Sequence, residues 1–190
     1  RVDSYETLKK KGYLSEVKYV HPDSTIIFIS HEWSGVTHPD PEGTQTYHLL
    51  LLLERLQRGD VSRTDMDVFM TMFYKQTFTT TAEEWNRILS SNNTFIWFDA
   101  CCAPMNKQEE VFRSIPSYVR RSDFTIVLAP GCTMYSDTNL ENSRKLHLCY
   151  RTYRLQAKCV FEMFSSFITR DFDGSVKPML LVRSGTGTPN

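Results

Sequence analysis

The residues best placed for chemistry are Ser30, His31, Glu32 and Trp33, because they end an uninterrupted apolar run, Ile26-Ile27-Phe28-Ile29. Such a run reads as a strand buried on both faces, and open α/β sheets keep their ligand sites at the carboxyl ends of such strands. A second apolar run, Phe95 to Phe98, ends in Asp99, which reads first as a cap for the loop that follows. Cys101 or Cys102 with His31 as base would make a thiol hydrolase, but no nucleophile signature surrounds either cysteine. His31 and His38 lack further ligands at metal spacing.

Several elements must position these groups. Tyr5 and its neighbours (Ser4 to Lys11) form a short helix closed by Gly12, and Glu16 to Val20 suit an edge strand. The loop His31 to Gly43 is stiffened by Pro39 and Pro41. Leucines at 49, 50, 52, 53 and 56 give the helix Thr44 to Arg58 a broad apolar face, and Gly59 stops it. Ser62 to Phe78 fits either a buried helix or an irregular insertion, the helix being preferred, and Thr81 to Glu84 reads as a capping box opening another helix. Further along come a helix from Glu110 to Arg121, a strand from Phe124 to Ala129 and a polar loop from Cys132 to Arg144. A helix from about Tyr150 or later to Phe167 and a strand from Pro178 to Val182 follow, with 183–190 as a tail. Strands alternating with helices predict a parallel sheet covered on both faces.

Size and composition bound the function. A chain of 190 residues with 41% hydrophobic content suits one domain, 1–182, with its own core. Lys+Arg and Asp+Glu both total 22, so no overall field attracts nucleic acid or an anionic membrane. The longest apolar stretch, Leu49 to Leu53, is too short to span a bilayer, and a cytoplasmic location is expected. Five cysteines without a CxxC pair indicate neither a disulfide framework nor a zinc site.

Three motifs in order resemble TIR domains: Ile27-Phe-Ile-Ser-His31, Asp123-Phe-Thr-Ile-Val-Leu-Ala-Pro-Gly131, and Lys158-Cys-Val-Phe-Glu162. The Ser-His-x-Trp, His-Pro-Asp-Pro-x-Gly and Trp-x-Asp-x-x-Cys-x-Pro patterns are similar to a variant group overlapping fungal HET-type domains. The segment 34–93 is longer than the family's usual first helix and loop. The resemblance implies a flavodoxin-like three-layer sandwich with a central parallel sheet of four or five strands. It also implies cleavage of the nicotinamide–ribose bond of NAD, which is substrate and not cofactor, for immune or cell-death signalling after self-association. A non-catalytic interaction scaffold and a nucleotide sensor are the alternatives.

By composition alone Glu162 reads as a solvated helix carboxylate; the resemblance makes it the catalytic carboxylate beside the ribose. Ser30 to Trp33, the loop after Gly131 and the helix carrying Lys158, Cys159 and Glu162 would wall the crevice. His31 and Trp33 would contact a base of the substrate, and Glu32, Asp99, Asn106 and the 39–43 loop would line the rim. Lys158 stands where many TIR enzymes have Trp, which removes an aromatic wall and leaves a cation able to meet a phosphate. The loop Ala100 to Glu109 also lacks the family's usual acidic-Gly pattern.

Overall fold

The apolar runs form the predicted sheet. In the computed structural model, which describes residues 3–35, 38–65, 71–72, 74–135, 145–171 and 173–183, β1 spans Thr25–His31. Two short strands, β2 (Arg63–Asp65) and β3 (Thr79–Thr81), pair with each other. β4 (Thr94–Phe98) and β5 (Phe124–Ala129) flank β1. β6 (Cys132–Tyr135) and β7 (Lys145–Leu148) form an antiparallel pair, and β8 (Met179–Arg183) lies beside β5. The central sheet has the order β4-β1-β5-β8 with every pairing parallel. This is the α/β arrangement of a flavodoxin-like three-layer sandwich, with four strands.

The α-helices whose bounds lie wholly among the described residues are α1 (Tyr5–Lys10), α2 (Thr44–Arg58), α3 (Ala82–Leu89), α4 (Asp99–Cys102), α5 (Gln108–Arg121), α6 (Tyr150–Tyr153) and α7 (Ala157–Ile168). Successive residues of a strand point to opposite faces, and β1 distributes its side chains accordingly. Ile27 and Ile29 pack with Leu49 and Leu56 of α2 and with Trp85 of α3. Phe28 packs with Ile115 and Val119 of α5 on the other face, where Phe161 of α7 joins them. All six residues of β5 are buried, as expected for a strand covered on both sides.

The capping signals act as the sequence implies. The Thr81 hydroxyl accepts from the Glu84 N–H while the Glu84 carboxylate accepts from the Thr81 N–H, completing the box that opens α3. Gly59, at φ 78°, ends α2 in the left-handed conformation that glycine adopts without steric cost. The stiff 39–43 loop anchors the first turn of α2. Its buried Asp40 carboxylate accepts from the N–H groups of Gln45 and Thr46, which have no partner within the helix.

Some expectations are corrected. Val17–Tyr19 is a short 3-10 helix and not part of an edge strand; its turn is closed by a bond from the Val20 N–H to the Val17 carbonyl. The segment from Ser62 to Phe78 is not one helix, because Arg63–Asp65 pairs in register with the β-favouring Thr79–Thr81; residues 71, 72 and 74 are helical, and 66–70 and 73 lie outside the described residues. Cys132 begins a strand where a loop was expected, and 136–144 lie outside the described residues. The helix from Tyr150 is interrupted, since Gln156 takes extended backbone (φ −85°, ψ 122°) and separates α6 from α7. Arg183 closes β8 and does not begin a tail; 184–190 lie outside the described residues.

Leu56, 1% exposed at the junction of α2 with the sheet, tests this packing. Leu56→Ala is expected to lower unfolding free energy by about 2–5 kcal/mol through lost burial and a residual cavity, read as a lower urea midpoint at unchanged slope.

Candidate functional site

The carboxyl ends of β1 and β4 lie side by side because the strands pair in parallel with Ile29 opposite Phe98. Asp99, the next residue, is thereby brought to His31. The His31 Nε2 lies 2.6 Å from Asp99 Oδ1, and His31 Nδ1 lies 2.7 Å from the Gln45 side-chain oxygen on α2. The Gln45 amide cannot be turned round, since its nitrogen donates to the Glu32 carbonyl at 2.6 Å. Both ring nitrogens therefore face side-chain oxygens, and the ring is fully buried between them.

Asp99 collects two more donors. The Trp33 indole N–H reaches Oδ2 at 3.0 Å, and the Lys158 ammonium, from α7, donates to the same oxygen. Burial would raise the Asp99 carboxyl, but the charges and hydrogen bonds of His31 and Lys158 outweigh it and hold the group well below the usual carboxylate range. Lys158 lies 5.4 Å from the centre of the Trp33 ring and 3.4 Å from Glu162 Oε1. Burial opposes its charge, yet Asp99 and Glu162 together drive it above the ordinary lysine range.

On the other face of β1, Ser30 points towards α7. Its hydroxyl donates to Glu162 Oε2 and lies 2.5 Å from the Tyr153 hydroxyl, so a line of hydroxyls leads to the carboxylate. The buried Tyr153 hydroxyl also reaches α7, at 3.4 Å from the Cys159 carbonyl. Glu162 is 1% exposed, and its Oε1 makes no hydrogen bond. Burial pushes the Glu162 carboxyl above its usual value; Lys158 works against that shift and Asp99 adds to it. The Cys159 thiol, buried and donating to the His31 carbonyl at 3.5 Å, is raised by burial and is not an activated nucleophile.

The structure thus brings together Ser30, His31, Trp33, Asp99, Lys158 and Glu162, which lie far apart in sequence, with Cys159 against the His31 backbone. It corrects several roles. His31 is enclosed between Gln45 and Asp99, so it contacts no substrate base, serves neither cysteine as a base and binds no metal through a free nitrogen. Asp99 is no rim residue or loop cap but the buried hub. Glu32 is not a rim group either: it is buried, and its Oε2 accepts from the Thr152 hydroxyl at 2.7 Å. Lys158 is engaged by two carboxylates and is not held out for a phosphate. Gly131 lies between β5 and β6, and Asn106 is exposed on a short 3-10 turn.

Sequence reasoning missed Gln45 and Tyr153. Gln45 directly follows the first residue of α2, two residues beyond the proline-rich loop, and that position was its one available signal. A cavity of about 370 Å³ lies outside the cluster, lined by Trp33, Gln108, Glu109, Val111, Phe112 and Lys158. Lys158 is the cation shared by cavity and cluster, and Glu162 stands behind it. Among the described residues no set of three or more His, Cys, Asp or Glu side chains is arranged to hold a metal, and no helix is long and apolar enough to cross a membrane.

With this geometry in view, comparison with protein-family models, curated proteins and solved structures gave no match. The class that the fold and site define is a flavodoxin-like α/β domain with a buried carboxylate cluster at the carboxyl ends of β1 and β4.

Asp99→Asn removes the carboxylate charge that Lys158 faces and that His31 and Trp33 share as acceptor, and is expected to cost about 3–5 kcal/mol. In the wild type the unfolded Asp99 takes up protons as pH falls below about 5 while the native carboxylate does not, so its contribution is complete above that range and fades with acidification. Urea denaturation at several pH values checks this: the variant should lose stability at neutral pH and show a shallower decline below about pH 5.

Proposed function

We propose that this is a TIR-like domain that cleaves the N-glycosidic bond between nicotinamide and ribose in NAD, or makes a signalling nucleotide from it, with Glu162 as the carboxylate beside the ribose. The observation that carries the reading is a buried carboxylate with one oxygen free of hydrogen bonds, behind a cavity wall, at the carboxyl end of the sheet. As the bond breaks, nicotinamide leaves as a neutral molecule with the bonding pair, and positive charge develops on the ribose. A fixed carboxylate stabilises that charge in the transition state more than in the ground state. Water, or a nucleophile of the nucleotide itself, then attacks the ribose carbon.

Lys158 sets the condition for activity. Its ammonium lies between the cavity and Glu162, so a ribose reaches the carboxylate only when Lys158 swings away. Self-association through TIR-like surfaces supplies the energy for that movement, and the isolated domain is then weakly active. The setting is immune or cell-death signalling.

The exposed Phe164 and Ile168, one turn apart on α7 and each 61% accessible, favour a second reading: a non-catalytic interaction scaffold in which the charge cluster only locks the fold. One assay separates the two. Nicotinamide release from NAD is measured on concentrated, assembled protein, wild type beside Glu162→Ala. The enzymatic reading expects turnover by the wild type and a drop of about 100-fold or more in the variant, the scale seen when a transition-state electrostatic contact is removed. Equal release by both removes Glu162 from the mechanism, and release by neither under assembly conditions favours the scaffold.

A further inference from the structure

Cys101 and Cys102 are adjacent in sequence, both half-buried, with sulfurs 3.9 Å apart. They lie in α4, the four-residue helix whose first residue is Asp99. The Cys102 sulfur accepts the Phe98 N–H at 3.5 Å, and the Cys101 thiol points to the Phe98 carbonyl at 3.4 Å. The Cys102 thiol also points to the Ile96 carbonyl at 3.6 Å, so both sulfurs are held against the backbone of β4 and only that of Cys102 accepts a backbone N–H. In keeping with this, Cys101 lowers the Cys102 thiol while Cys102 and burial raise that of Cys101. Cys132 and Cys159, by contrast, are buried.

We propose that Cys101 and Cys102 form a redox-active vicinal dithiol, closed to a disulfide by peroxide, whose closure breaks the α4 helix and loosens Asp99 from its partners. The Cys102 thiolate attacks hydrogen peroxide, the O–O bond breaks, and Cys102 becomes a sulfenic acid while the departing hydroxide takes up the proton the thiol had given up and leaves as water. The Cys101 sulfur then attacks the Cys102 sulfur, the S–O bond breaks, and a second water leaves. Two thiols and one peroxide give one disulfide and two waters.

The consequence for Asp99 follows from geometry. Successive residues of an α-helix point about 100° apart, whereas a disulfide needs its Cβ atoms about 3.5–4.5 Å from each other. The bridge therefore cannot form while residues 101 and 102 stay helical. α4 is closed by a bond from the Ala103 N–H to the Asp99 carbonyl at 3.2 Å, so breaking the helix acts directly on the residue that holds His31, Trp33 and Lys158. The resulting ring is strained, which makes it easy to reduce and the change reversible. None of this depends on what Glu162 does.

The test uses the 190-residue protein with hydrogen peroxide and then dithiothreitol. Trypsin places both sulfurs on one peptide, Ile88 to Lys107, which carries no other cysteine. An alkylating reagent should label that peptide twice before peroxide, not at all after it, and twice again after reduction. Acetylation of Lys158, read on the same samples, should be several-fold faster in the oxidised protein and return to the starting rate on reduction. In a Cys101→Ser/Cys102→Ser variant peroxide should leave that rate unchanged. Persistent double alkylation, irreversible higher acids, or bridging to Cys132, Cys149 or Cys159 would overturn the dithiol; an acetylation rate indifferent to oxidation, or a rise that persists in the double variant, would overturn its link to Asp99.

Discussion

The Asp99 carboxylate is the point on which the mouth of this sheet depends. It is 1% exposed and accepts from His31 at the end of β1, from Trp33 just beyond it and from Lys158 on α7. A carboxylate so buried is costly unless cations and donors surround it, and here they come from three separate segments. The strand, the loop and the helix are held in one relation because each supplies a partner to the same two oxygens. Gln45 extends the lock to α2 by fixing both the His31 ring and the Glu32 carbonyl.

Glu162 takes what this hub leaves. Lys158 is shared, and its distance of 3.4 Å from Glu162 Oε1 marks it as closer to Asp99. In the proposed reaction that imbalance is useful. When Lys158 withdraws, Glu162 loses its nearest cation, and the charge developing on a ribose takes the vacated place. The carboxylate is then matched to a charge that exists only as the bond breaks, which is the condition for stabilising a transition state selectively.

The sheet was legible because strands buried on both faces are mostly apolar: Ile26 to Ile29 is so throughout, and Phe124 to Ala129 is broken only by Thr125, whose hydroxyl bonds that of Ser166 at 3.0 Å. The caps of α2 and α3 were legible for the same local reason: glycine, threonine and glutamate act within one turn. The site was legible only as a set of positions. Alternation along β1 places Ser30 and His31 on opposite faces, but nothing local says that Ser30 meets Glu162, 132 residues on, or that His31 is shut between Gln45 and Asp99. Nor does composition distinguish a solvated helix glutamate from one that is 1% exposed. The Glu16 to Val20 and Ser62 to Phe78 segments were misread because short, weakly patterned stretches are decided by tertiary partners, as the β2–β3 pairing shows.

Burial of Glu162 and its coupling to Lys158 are tested most directly by a carbon-13 NMR titration of the Glu162 side-chain carboxyl, in the wild type and in Lys158→Met. The predicted midpoint lies above the ordinary glutamate range in the wild type, because burial outweighs the nearby ammonium, and higher still when that ammonium is removed. A midpoint at or below the ordinary range, unmoved by the substitution, would contradict both the burial and the coupling.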